Sequence, residues 1–158
     1  MERCGARLSK AGLVVLVVVT GAILSAAALG AASKARVVTL DTRRAIWTNT
    51  GVTIPKGKTV TIRVTGNGKC GAGTDCPAGD PLGAHHTCGN RTLGPLTPGR
   101  GGPAVNYGSV VAKVGAKGTP FMTGRRHTAA GPGVLYVLFD DCAGYYADNS
   151  GTFTLTIS

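Results

Sequence analysis

The chain has 158 residues, with 25 glycines, 8 prolines and 17 lysines and arginines against 7 acids, a formal net charge of +10. That length admits one ordinary domain, and a 43% hydrophobic content with no Gly-X-Y period excludes collagen and a disordered basic tail. The charge by itself points towards a polyanion, a reading to be weighed against the compartment and against where the few acids lie.

Arg3, Arg7 and Lys10 precede an uncharged run from Ala11 to Ser33. Leu13–Val19 is its apolar heart, and it dilutes into small residues ending at Ala31 and Ala32. This is the order of an export signal. Residues 1–32 are expected to be a signal peptide cleaved between Ala27 and Ala32, or an N-terminal anchor, since the run is long enough to span a bilayer. Cys4 lies before the apolar run and is therefore no lipoprotein acceptor. Residues 33–158 are expected outside the cytoplasm in either case: secreted, at the cell surface or periplasmic. If the signal is cleaved, the mature form carries no membrane span. Cleavage after Ala32 leaves 126 residues and, with Arg3, Arg7, Lys10 and Glu2 gone, a net charge of +8. Such a chain buries about two thirds of its unfolded surface in one core. Four cysteines remain, Cys70, Cys76, Cys88 and Cys142. An even number in an exported chain reads as two disulfides with three possible pairings, and their spacing matches no standard zinc pattern.

Along the mature chain, Ile46–Val52 is β-rich and ends at the turn Pro55-Lys56-Gly57-Lys58. Thr59–Val64 alternates polar and apolar residues, as a strand with one wet face does. Gly66–Pro103 has no period and holds three cysteines, most of the prolines and His85-His86; such a stretch inside a compact domain is expected to be a disulfide-stapled loop. Strand character returns at Ser109–Val114. Gly133–Phe139 is apolar on both faces, which predicts a central strand, and Thr152–Ile157 alternates cleanly. No helical stripe follows residue 33. Short strands between Gly/Pro turns predict an all-β domain, a small β-sandwich or jelly roll.

The mature chain contains six acids, all Asp, and Asp140, Asp141 and Asp148 fall within nine residues of one another, followed by Asn149-Ser150-Gly151. Two carboxylates about 4 Å apart repel by roughly 4 kcal/mol at an effective dielectric of 20. A site that gathers them needs a proton, a basic partner or a metal, and this segment holds no Lys, Arg or His. Asp and Asn side chains with turn carbonyls are hard oxygen donors, the set that Ca²⁺ takes. A plain hairpin loop uses the same residues, and the spacing is not that of an EF-hand. Adjacent strand residues face opposite ways, so Asp140 and Asp141 are equal ligands only if the strand has ended; the sequence leaves the choice open.

The segments Trp47–Val52, Thr59–Gly66, Gly108–Gly115, Gly133–Leu135 and Asp140–Phe153 resemble, in order and spacing, the bacterial calcium-dependent galactophilic lectins of the PA-I type and their secreted relatives. The resemblance spans nearly the whole of residues 33–158, and its last segment is the most specific. It implies a galactose-binding-domain-like jelly-roll β-sandwich that binds glycans through one Ca²⁺. Carried over by position, the ligands would be the Asp141 side chain, the Tyr145 and Cys70 carbonyls, and the Asp148 and Asn149 side chains. It also implies that Cys70 lies near Cys142, giving the pairing Cys70–Cys142 with Cys76–Cys88. The sugar would meet Asp141, Cys142 and Asp148, with His85 or His86 on the facing loop. Tyr145, Tyr146 or Trp47 could offer an aromatic face, although a strand tryptophan is more often core.

The departures from the family bear on specificity. The family lectin has Asn where this chain has Asp148, and its sugar-contacting His and Gln have no register-matched counterparts in Gly79–His86. Exposed loop histidines without a role are as common as contacting ones. The resemblance implies binding and no catalysis. The mature chain contains no Glu, no Gly-x-Ser-x-Gly and no HExxH. The basic residues are scattered pairs and lone lysines, which argues against nucleic acid and leaves an anionic envelope surface as an alternative partner. A disulfide-stabilised scaffold with no sugar site is a further alternative, and a homo-oligomer is possible in any of these readings.

Overall fold

Alternation of threonine with apolar residues builds the first layer of the molecule. In the computed structural model, which describes residues 34–71, 78–83 and 105–158, Thr152–Ile157 forms strand β8, with Phe153, Leu155 and Ile157 buried and the threonines on the other face. It lies between β1 (Arg36–Asp41) and β3 (Thr59–Gly66), and β6 (Arg126–Ala130) completes a sheet of order β1-β8-β3-β6. The second sheet has the order β2-β7-β4-β5, from β2 (Thr48–Ile54), β7 (Gly133–Asp140), β4 (Ser109–Val114) and β5 (Phe121–Met122). Every strand pairing in both sheets is antiparallel. The domain is all-β, two sheets forming a sandwich.

The core lies between the sheets. Leu40, Ile62, Val64, Phe153, Leu155 and Ile157 come from the first; Ile54, Val110, Ala112, Leu135, Val137 and Phe139 come from the second. Phe139 and Phe153 join them, with ring centroids 5.9 Å apart. Burying each such side chain contributes roughly 1.5–3 kcal/mol. Strand β7 is central, as its two-sided apolar pattern predicts: Leu138, on the face away from Phe139, is also fully buried.

Sequence and structure differ at the sheet edges. Strands β1 and β6 were not predicted: β1 buries only Leu40 fully, and β6, reading Arg-His-Thr-Ala-Ala, buries only Ala129. Edge strands are held by main-chain pairing on one side and need no apolar alternation. Strand β5 is only two residues long, too short for a period. Trp47 is not part of the core. It is half-buried, with the Lys113 Nζ 4.3 Å from its ring centre and 5.8 Å from that of Tyr136. The ammonium caps the aromatic faces, a contact worth roughly 0.5–1 kcal/mol at such a site. Cys76, Cys88, His85 and His86, and the leader 1–32, lie outside the described residues.

Candidate functional site

The Asp-rich segment is the loop between β7 and β8, at one end of the sandwich. Strand β7 stops at Asp140, so strand alternation places Asp140 and does not bind Asp141. Asp140 is the register partner of Ser109, which puts both on the face of the sheet opposite Phe139. Asp141 lies beyond the strand, and its Oδ1 accepts the Cys142 N–H at 2.6 Å. A turn follows, Tyr145 N–H to Cys142 O at 3.0 Å, and then a 3-10 turn over Tyr146–Asp148.

Three loops converge here. Ser150 and Lys69 exchange backbone hydrogen bonds at 2.8 and 3.0 Å, pinning the β3 exit to the β8 entry. The Asn149 side chain ties both to the β1 exit: its Nδ2 donates to Thr42 O at 2.9 Å and its Oδ1 accepts from the Gly71 N–H at 3.0 Å. Thr42 Oγ1 is within 3.0 Å of the Ser150 and Gly151 carbonyls. Gly151 has φ +77°, and a Cβ there would come within 2.6 Å of Asn67 O, so only glycine lets the two loops approach this closely. Beneath the loop, the buried Tyr146 Oη accepts the Asp141 N–H at 3.0 Å.

Burial governs the electrostatics. Asp140 is fully buried, and neither carboxylate oxygen has a hydrogen-bond partner among the described residues. Its pKa is pushed up to about 8 by desolvation and then by the charge of Asp141. Burial also raises the Asp141 carboxyl. The Cys142 N–H and the Asn149 side chain oppose that rise, and Asp148 adds to it. The Tyr146 phenol is raised by burial as well.

Of the residues singled out from sequence, Cys70, Asp141 and Asn149 are brought together and buried, Asp148 is exposed, Cys142 is half-buried and Tyr145 stands 40% exposed on the rim. Thr42 and Gly71, which position the others, carry no sequence signal; Thr42 is 107 residues from Asn149. Tyr146, expected as a possible aromatic face for a sugar, is instead buried beneath the loop.

Asp141 Oδ2 is buried with no hydrogen-bond partner among the described residues. A buried carboxylate oxygen in that state is costly unless a proton or cation meets it. No group of three or more His, Cys, Asp and Glu among the described residues could hold a metal ion. A cation at Asp141 would therefore rest on at most two carboxylates, those of Asp141 and Asp148, with amide oxygen and carbonyls, a hard donor set that fits Ca²⁺ rather than zinc.

No protein-family model matches the chain, and no curated protein does. Among solved structures, the fold is similar to that described as "EclA N-terminal domain; PllA-like lectin", at 23% identity and a TM-score of 0.52, covering 77% of this chain and 92% of that one. At that identity the likeness shows a lectin-like fold.

Proposed function

We propose that the chain is a secreted, calcium-dependent carbohydrate-binding protein of the PA-I lectin type, binding galactose-type sugars at the Asp141–Asn149 loop without catalysing a reaction. The observation that carries this reading is the buried Asp141 Oδ2, without a hydrogen-bond partner among the described residues, at the meeting of three loops. Asp141, Asn149 and Asp148 would hold Ca²⁺ through side-chain oxygens, with the Cys70 and Tyr145 carbonyls completing the set. Bound Ca²⁺ supplies open coordination positions for adjacent sugar hydroxyls. Asp141 and Asp148 then accept hydrogen bonds from those hydroxyls, and exposed Tyr145 offers the sugar ring an aromatic face. Tyr146 and Thr42 orient the loop without touching sugar. A Cys70–Cys142 bridge would clamp the metal loop to the β3 exit. The lectin-like fold and the Asp141–Asn149 geometry support this reading.

Thermal unfolding with Ca²⁺ and with EDTA, followed by a glycan array in Ca²⁺, tests it. A ligand that binds the native state raises the midpoint, by about 2.7 kcal/mol of stability at a hundredfold excess over Kd. No shift with millimolar Ca²⁺ sinks the metal reading. A shift without any glycan signal favours a second reading, a secreted scaffold with no sugar site. That reading draws on a specific feature: Asn149 Oδ1 and Asp141 Oδ1 are already occupied by backbone N–H groups.

A further inference from the structure

The outward face of the first sheet carries charge of the opposite sign to the Asp141 loop. Arg63 on β3 and Arg126 on β6 are direct register partners, and both are exposed. Because Ile62 and Val64 enter the core, Arg63 points outward, and Arg126 shares its face. Facing residues in such a pair have Cβ atoms about 4.5–5.5 Å apart, and like charges directly opposite each other destabilise the sheet. Nothing in the register offsets this. The row continues through Thr156 to Val37, and Thr61 and Thr128 pair beside it. The acid on this face, Asp41, lies at the other end of β1 with both oxygens bonded by Arg43. Arg125 adds a third exposed cation next to the pair.

We propose that this face binds an anionic polysaccharide, with the Arg63–Arg126 pair gripping one sulfate or carboxylate group. Guanidinium forks match such groups bidentately, and one anion between two arginines removes their mutual repulsion. The adjoining Thr61, Thr128 and Thr156 hydroxyls provide hydrogen-bonding groups along a sugar chain. The face has no aromatic side chain among its register residues, so it lacks the stacking platform that single-stranded nucleic acid uses. The site is independent of Asp141, and its occupation requires no Ca²⁺.

Heparin oligosaccharide titrated onto the full chain between about 50 and 300 mM NaCl, with Ca²⁺ and with EDTA, tests the proposal. The R63S/R126S variant is expected to bind at least about tenfold more weakly, with a log–log salt slope smaller by about 2. Its thermal midpoint should be equal to or above that of the parent, so that unfolding does not account for the loss. R44S/K117S removes two exposed cations outside the pair and is expected to stay within about twofold of the parent. Equal losses in the two variants overturn the proposal in favour of diffuse charge. Absence of heparin binding, dependence on Ca²⁺, or equally tight single-stranded DNA binding with the same Arg63/Arg126 dependence overturns it too.

Discussion

Ser109 and Asp140 face each other across β4 and β7, both fully buried, and the Ser109 hydroxyl and both Asp140 carboxylate oxygens have no hydrogen-bond partner among the described residues. The pair sits at the last residue of the central strand, one position before the candidate ligand Asp141. A polar island so placed weakens the domain unless it stays protonated, and that makes its cost depend on pH.

Asp140 is held near 8 in the folded state against an ordinary 3.8. Below about pH 4 it is protonated in both folded and unfolded chains. Between about 4 and 8 the unfolded chain releases the proton and the folded one does not, so stability in EDTA is expected to fall as pH rises through this window and to level off above it. Thermal midpoints across pH 4–9 check this. Asp140→Asn, which cannot ionise, should flatten the slope; an unchanged slope in that variant assigns the dependence to another group.

Asn149→Ala removes the donor to Thr42 O and the acceptor for the Gly71 N–H at once. Each partner left unsatisfied costs about 1–3 kcal/mol when buried, so a total of about 2–4 kcal/mol is expected by urea denaturation in EDTA. Any Ca²⁺-induced rise in midpoint should disappear with it. A variant as stable as the parent would show that the three loops are held together by other contacts.

Phe153→Ala empties the position that meets Phe139 across the two sheets. Large aromatic truncations in a core cost about 3–5 kcal/mol, enough to leave a domain of this size marginal. Val37→Ala, at a residue 58% exposed on edge strand β1, is expected to change stability by less than about 0.5 kcal/mol. Comparable losses for the two would contradict the placement of the core between the sheets.

Strands β4, β7 and β8 were legible from the chain because burial imposes a period on side chains. Ser109–Val114 and Thr152–Ile157 match the expected bounds, and Gly133–Phe139 differs by one residue. The gathering of Asp140, Asp141 and Asp148 was equally legible, since it lies in one short segment. Which carboxylate faces the loop was not. That depended on where β7 ends, a matter of pairing with β4.

The amino-acid sequence by itself thus determined the all-β class, the principal strands and the segment in which scarce acids meet, all properties of local order. Tertiary structure alone decided the rest. It placed Thr42 and Gly71 on Asn149, set Tyr146 beneath Asp141, and put Arg63 opposite Arg126. Apart from Tyr146 and Asp141, which are five residues apart, these relationships join residues far apart in the chain through backbone pairing or side-chain hydrogen bonds to the backbone. Such contacts place few demands on residue type, so the sequence carries little trace of them.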